Sequence, residues 1–159
     1  MKTNKIGLPV KESELIVLEL NVLLANFQVY YQNLRGLHWN IRGRRFFDLH
    51  LKFEELYNDS QLKVDVIAER VLTLGGRPLH TFDDYLQFNQ LEIGKDISND
   101  EKAIHLIVNS LAQLLKIERK IAANSSEIND EGTNSMMSAF IAEQEKTIWM
   151  LQAWLEEEL

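Results

Sequence analysis

Apolar side chains recur at helical spacing along four long segments of this 159-residue chain. The first segment extends from about residue 11 to 38, the second from about 46 to 74, and the fourth from about 134 to 157; the third begins at Ser98. Intervals of three and four residues between apolar positions are typical of amphipathic helices. No segment shows the alternation that is typical of a β-strand. The pattern therefore predicts an all-α fold with four long helices.

The first predicted helix is apolar on several sides. The stripe that we expect to face the core contains Leu15, Leu18, Val22, Leu23, Phe27, Tyr30 and Leu34. Leu20 and Leu24 add apolar surface elsewhere on this helix. A helix that is apolar all round is buried on more than one face. We therefore expect contacts between subunits along it.

Local signals mark helix ends and a long connection. Gly75 and Gly76, followed by Pro78, predict the end of the second helix, because proline cannot continue a helix. Ser98, with Glu101 three residues later, predicts a capping box for the third helix. The intervening sequence FDDYLQFN predicts a short extra helix. Four long helices with one long middle connection make a bundle with a crossover, which is the ferritin-like arrangement.

Composition and charge narrow the class of protein. The chain is 45% apolar with two prolines, as in globular proteins, and we expect one domain over residues 1–159 with a short tail at 1–10. It shows no apolar signal core and no membrane-length apolar run, which predicts a cytoplasmic protein. The lack of cysteine excludes disulfides and thiolate metal sites. A formal charge of −7 disfavours nucleic acid and favours cations.

Imidazoles and carboxylates on the second predicted helix suggest a metal site. His50 and Glu54 are four residues apart, as are Asp65 and Glu69, so the members of each pair share a face. At 100° per residue, Asp65 lies about 60° round the helix from His50. Such ligands suit iron or zinc.

These two pairs cannot bind one ion within a single chain. Fifteen residues of helix span roughly 22 Å, whereas metal–ligand bonds are about 2 Å long. An antiparallel second copy, related by a two-fold axis near residues 57 and 58, brings His50 and Glu54 opposite Asp65 and Glu69 of the partner subunit. His38, at the end of the first helix, completes each of the two sites. The prediction requires a dimer.

Structural roles are the alternative for several of these residues. Lys63 and Arg70 could form ordinary ion pairs with the acids of the second helix. His80 lies in a loop beside Pro78 and His105 in the first turns of the third helix, and we expect structural roles for both.

Two stretches, LHWNIRGRRFFDLHLKFEELY and VDVIAERVLTLGG, resemble the Dps family, or mini-ferritins. The resemblance covers nearly the whole chain. It implies a dodecameric hollow shell that oxidises Fe(II), preferably with hydrogen peroxide, stores ferric mineral and limits oxidative damage. The implied ligands for two irons per site are His38, His50 and Glu54 of one subunit, with Asp65 and Glu69 of the partner subunit. Glu54 stands where some relatives have aspartate, and zinc is a possible substitute ion.

The resemblance also suggests roles for residues outside the ligand set. Trp39, beside His38, corresponds to a tryptophan that lies near the iron in the family; an interface aromatic is the alternative. Glu127, Asp130 and Glu131 correspond to the acidic three-fold pore through which iron enters; a solvated loop is the alternative.

DNA binding and compaction, with ferroxidase activity secondary, is the alternative function. The tail carries Lys2 and Lys5, with Lys11 at its edge, and twelve copies would add their weak contacts. Each chain nevertheless offers few charges for counterion release and the body is acidic, so we expect DNA binding to be weak or absent. A helical interaction module without chemistry is a third alternative.

Overall fold

The computed structural model describes residues 2–159, and five helices occupy most of that range. They are α1 (Val10–Asn40), α2 (Phe46–Thr73), α3 (Phe82–Phe88), α4 (Asp100–Glu127) and α5 (Glu131–Leu155). The prediction of four long helices and a short one in the middle connection is confirmed. In residues 2–159, none of these helices combines the length and hydrophobicity that crossing a bilayer requires.

The long helices enclose one apolar core. α1 packs against α2 and α4, α4 packs against α5, and α3 lies on α1. The largest fully buried side chains come from α1, α2 and α4: Ile16, Leu20, Leu23, Leu24, Phe27, Leu34, Phe53, Ile67, Ile104, Ile107, Leu111 and Leu114.

The inward face of α1 differs from the predicted stripe at its N-terminal end. Leu15 and Leu18 are 51% and 64% exposed, whereas Leu20 and Leu24 are buried. The prediction was wrong here because α1 has apolar residues all round, so periodicity alone did not select the face that meets α4. The exposed leucines leave apolar surface on the outside of α1.

The end of α2 is as predicted. Gly75 has a φ of +88°, which is the left-handed region that favours glycine. Its N–H bonds to the Leu72 carbonyl, and the Gly76 N–H bonds to the Val71 carbonyl, so the last carbonyls of the helix are satisfied.

The starts of α4 and α5 correct the predicted boundaries. Asn99, not Ser98, caps α4, and its side-chain oxygen accepts a hydrogen bond from the Lys102 N–H at 2.9 Å. α5 begins at Glu131, three residues earlier than predicted, because Asp130 caps it.

Three asparagines of α1 hold the long connection between α2 and α4. The Asn21 amide donates to the Arg77 carbonyl and accepts from the Leu79 N–H. Asn26 and Asn33 repeat this pattern further along, with the backbone of residues 88–90 and 92–94 respectively. Each amide satisfies two backbone groups of a segment that has little regular structure of its own.

Candidate metal centre

Two histidines from different helices meet at the α1–α2 connection. A short link, in which Gly43 has a φ of +113°, brings the end of α1 beside the start of α2. The rings of His38 and His50 stack with centroids 3.7 Å apart and planes 11° apart. His38 Nδ1 lies 2.6 Å from the His50 carbonyl oxygen, and His50 Nδ1 lies 2.7 Å from the His38 carbonyl oxygen.

This reciprocal pairing defines the tautomer of both rings. A backbone carbonyl only accepts hydrogen bonds, so both Nδ1 atoms must donate. In the neutral imidazole the lone pair is then on Nε2, the atom left available for a metal ion. A ligand histidine that donates its other N–H to a carbonyl is the usual arrangement at protein metal sites. Both rings therefore leave Nε2 free of these two hydrogen bonds.

Aromatic neighbours and one tyrosine support the histidine pair. The Phe46 ring stacks on His50 with centroids 4.8 Å apart, and Tyr57 meets His38 edge-on at 5.3 Å. The Tyr57 hydroxyl donates to Glu54 Oε1 at 3.3 Å. Burial, followed by the adjacent Glu54 carboxylate, raises the pKa of Tyr57, which keeps the phenol protonated as a donor.

The supporting role of Tyr57 was not predicted from the sequence. Glu54 and Tyr57 lie three residues apart on α2, and this spacing is the signal from which their contact could have been inferred.

The second acidic pair lies away from the histidines. Asp65 and Glu69 are exposed and one turn apart on α2, fifteen residues or more beyond His50. Within residues 2–159 no group of three or more histidine, aspartate or glutamate side chains is placed to hold a metal ion. The structure thus brings His38 and His50 together, connects Glu54 to them through Tyr57, and leaves the other two predicted ligands elsewhere on α2.

Within residues 2–159, the ion pairs suggested as the alternative for Asp65 and Glu69 do not form. Lys63 contacts Asp59 and Glu143, and Arg70 contacts Asp130. In residues 2–159 the carboxylates of Asp65 and Glu69 have no ion-pair partner.

Four of the exposed apolar residues of α2 are arranged symmetrically, whereas Leu72, which is also exposed, has no counterpart on the helix. Phe47 and Leu51 are 82% and 64% exposed, and Leu62 and Val66 are also exposed. Phe47 and Val66 lie at equal distances along the helix from a midpoint between residues 56 and 57. Leu51 and Leu62 are also equally far from that midpoint. Four such residues within about 100° of the helix surface form an apolar stripe that a two-fold copy would cover.

Trp39 lies on the surface at the end of α1. Its ring is 57% exposed, and the Arg35 guanidinium stacks over it with a separation of 4.8 Å. The same guanidinium lies 5.3 Å from the Tyr31 ring centroid. Trp39 therefore points outward from the chain while its neighbour His38 is buried.

The three acids predicted to line a pore have different surroundings. Glu127 and Glu131 are exposed. Asp130 is buried, and both its carboxylate oxygens accept hydrogen bonds, from Arg70 and from Thr133. In this chain Asp130 is a helix cap and an ion-pair partner.

His80 and His105 make contacts with residues outside the candidate centre. His80 Nδ1 lies 3.1 Å from the Pro78 carbonyl oxygen in its own loop. His105 Nε2 lies 2.9 Å from Glu157 Oε1, and this hydrogen bond raises the pKa of His105.

Comparisons with known proteins agree with this architecture. A family model described as a ferritin-like domain matches residues 17–158. The DNA protection during starvation protein of Porphyromonas gingivalis is 40% identical over 148 residues, which cover 93% of each chain. The Dps protein of Vibrio cholerae O1, described as a member of a superfamily of ferritin-like diiron-carboxylate proteins, is 48% identical over 98% of both chains, with a TM-score of 0.95.

A Dps protein from Bacillus brevis is more distant. It is 34% identical, covers 98% of this chain and 99% of its own, and has a TM-score of 0.89. The predicted ferritin-like fold is confirmed by these matches. The chain belongs to the Dps family of ferritin-like proteins.

Proposed function

We propose that this protein is a ferroxidase that oxidises Fe(II), preferably with hydrogen peroxide, and stores the ferric product in a hollow shell of twelve chains. The proposed ferritin-like unit is the whole chain, residues 1–159. Membership of a family of ferritin-like diiron-carboxylate proteins supports iron storage and protection under stress. The observation that carries the proposal is the reciprocal pairing of His38 on α1 with His50 on α2, the helix that also carries Glu54 and, further along, Asp65 and Glu69.

The centre is completed by a two-fold neighbour. His38 and His50 offer Nε2 atoms and Glu54 offers a carboxylate, and the remaining ligands are Asp65 and Glu69 of the partner subunit. The symmetrical apolar stripe of α2 supports this antiparallel pairing. Carboxylates favour Fe(III) over Fe(II), because the harder ion prefers charged oxygen ligands. Zinc binds as a substitute, since imidazole and carboxylate also suit that ion.

Two irons in one centre match the electron count of the reaction. Each Fe(II) gives up one electron, and hydrogen peroxide takes two electrons and two protons to form two water molecules. Two adjacent irons therefore reduce peroxide fully without releasing a hydroxyl radical. Trp39 contributes as a donor or trap for a stray electron, since it is adjacent in sequence to His38.

Iron reaches the shell interior through an acidic pore at the α4–α5 turn. Glu127 and Glu131 are the exposed carboxylates of that turn and supply its charge. Asp130 contributes by fixing the turn to α2 through Arg70.

Co-assembly of two defective variants tests whether the centre is shared. His38→Ala/His50→Ala and Asp65→Ala/Glu69→Ala chains are each expected to lack peroxide-dependent Fe(II) oxidation. Refolded together in equal amounts, half of the dimers are mixed and each has one intact centre, so about a quarter of the wild-type rate returns. The control replaces the second variant with a chain that carries all four substitutions, which cannot form an intact centre. A mixture as inactive as this control contradicts the shared centre.

DNA binding is a second candidate, favoured by the name of the Porphyromonas gingivalis relative, a DNA protection during starvation protein. The exposed Lys2 and Lys5 would be its contacts. The tail, however, bends back on itself: the Asn4 side chain accepts from the Ile6 and Leu8 N–H groups, and Val10 N–H bonds to the Lys2 carbonyl. An anchored tail with few charges supports weak binding at most.

A further inference from the structure

Tyr57 contacts two parts of the candidate centre at once. Its hydroxyl donates to Glu54 Oε1 at 3.3 Å, and its ring meets the His38 ring edge-on, with centroids 5.3 Å apart and planes at 79°. Glu54 and His38 belong to different helices, and within residues 2–159 no hydrogen bond or ion pair joins them directly. Tyr57 is therefore the side chain that connects the carboxylate to the histidine pair.

The Tyr57 ring is itself held by two rings of α1. Besides His38, Tyr31 meets it edge-on, with centroids 5.9 Å apart and planes at 79°. Tyr31 and His38 are seven residues apart, which is about two turns of helix, so both lie on the face of α1 toward α2. Edge-to-face contacts are favoured because the positive edge of one ring meets the negative face of the other. A phenol oxygen lies on the ring axis, so these contacts also fix the position of the Tyr57 hydroxyl.

The Glu54 carboxylate is only ordered if something holds it. A glutamate side chain has several rotatable bonds, the last of them loosely defined, so a free carboxylate samples many positions. Binding an ion then costs the conformational entropy of ordering the whole side chain. No lysine, arginine or histidine in residues 2–159 forms an ion pair with Glu54. The Tyr57 hydroxyl holds Oε1 and leaves Oε2 free of this hydrogen bond.

We propose that Tyr57 is a positioning residue, whose hydroxyl orients the Glu54 carboxylate for an incoming divalent ion. A ligand carboxylate that accepts a hydrogen bond from an outer side chain recurs at protein metal sites, and loss of the outer partner lowers metal affinity roughly ten- to a hundredfold. The inference rests on the proposed function, since it takes Glu54 to be one of the ligands. Tyr57 binds no ion itself and acts on one through Glu54.

Removing only the hydroxyl tests this role, with Co²⁺ alone as the probe. Tyr57→Phe in the full-length assembly keeps the ring contacts and is expected to lower Co²⁺ affinity roughly tenfold and to change the visible spectrum of the bound ion. Tyr31→Phe is the matched control, because it keeps the neighbouring ring and removes a hydroxyl that makes no hydrogen bond to Glu54 within residues 2–159. Its Co²⁺ affinity and spectrum should equal those of the wild type. Unchanged affinity in Tyr57→Phe overturns the proposal.

Shortening the carboxylate separates positioning from a general effect on the fold. Glu54→Asp withdraws the carboxylate from the hydroxyl, so its Co²⁺ affinity should fall, and adding Tyr57→Phe to this variant should lower the affinity no further. A merely structural role for Tyr57 would lower Co²⁺ affinity by the same factor in both backgrounds. A second tenfold loss in the double variant therefore overturns the proposal.

Glu54→Ala distinguishes a failure of this inference from a failure of the proposed centre. If Glu54→Ala loses Co²⁺ affinity while Tyr57→Phe keeps it, Glu54 is a ligand and the positioning role alone is wrong. If Glu54→Ala and His38→Ala/His50→Ala both bind Co²⁺ as tightly as the wild type, the proposed centre is wrong, and the role of Tyr57 is wrong with it.

Discussion

Arg70 and Asp130 form an ion pair that joins the C-terminal part of α2 to the turn before α5. Arg70 Nη2 lies 2.5 Å from Asp130 Oδ1, and Arg70 Nε donates to Thr133 Oγ1 at 2.9 Å. Asp130 is only 1% exposed, so water does not compensate its charge. The pair therefore fixes the segment of α2 that carries Glu69.

Removing the arginine is expected to destabilise the protein strongly. Arg70→Ala leaves a buried carboxylate without its counter-charge, which costs roughly 3 kcal/mol of unfolding free energy. Arg119→Ala is the control, because Arg119 and Glu145 form an ion pair with both side chains more than half exposed, and such a pair contributes less than about 1 kcal/mol. Urea unfolding at one protein concentration measures the free energy of unfolding of each variant. Equal losses of unfolding free energy in Arg70→Ala and Arg119→Ala would contradict the role assigned to Arg70.

Stability is expected to fall as pH rises through the neutral range. Burial of Glu118 raises the pKa of its carboxyl from 4.5 to about 8, although the hydrogen bond from Gln144 and the nearby Lys63 oppose this. The folded protein thus keeps a proton that the unfolded chain releases above pH 4.5. The protonated Glu118 carboxyl makes its full contribution to the unfolding free energy below pH 4.5. Between pH 4.5 and about pH 8 this contribution decreases by roughly 1 kcal/mol per pH unit, and above about pH 8 it is lost.

Glu118→Gln isolates this contribution, because glutamine resembles the protonated carboxyl at every pH. The variant is expected to match the wild type near pH 5 and to exceed its thermal midpoint near pH 9. Glu145→Gln, an exposed change, should leave the pH profile unaltered. If the thermal midpoints of the wild type and Glu118→Gln changed with pH in the same way, Glu118 would not be a buried neutral acid.

The histidine pair is expected to bind metal directly. His38→Ala/His50→Ala should lower Co²⁺ affinity roughly tenfold or more and should change the visible spectrum of the bound ion, because nitrogen ligands are lost. His80→Ala is the matched control, since His80 contacts only its own loop. Equal Co²⁺ affinity in the double variant and the wild type would remove both histidines from the ligand set.

The protein is expected to leave DNA unshifted in gels, even at low salt. Its net charge is −7 and its tail is folded against itself, so few phosphates can be neutralised. Lys2→Ala/Lys5→Ala should therefore behave like the wild type. Retardation of DNA that disappears in this variant or at moderate salt would establish DNA binding through the tail.

Sequence periodicity predicted the helices well but not every buried face. The predicted bounds of the second helix and the predicted start of the third agree with α2 and α4 to within about two residues. α1 has apolar residues on all sides, so the choice of its inward face depends on the helices packed around it. Ser98 and Asn99 are both good caps, and only the backbone conformation selects Asn99.

The candidate centre was predictable in its residue types and not in its geometry. Spacing grouped His50 with Glu54 and Asp65 with Glu69, because those contacts are local to one helix. The exchange of hydrogen bonds between His38 and His50 depends on how the link between α1 and α2 closes, which no local pattern encodes. The same holds for Asp130, whose partner Arg70 is sixty residues away.

The symmetrical stripe of Phe47, Leu51, Leu62 and Val66 has a consequence for regulation by abundance. When each centre is divided between two chains, the number of working centres in dilute protein grows with the square of chain concentration. Under the proposed function, a cell that made a little of this protein would gain almost no oxidase, and a modest rise in synthesis would produce a steep rise in activity. Expression level itself then acts as a threshold, with no effector molecule required.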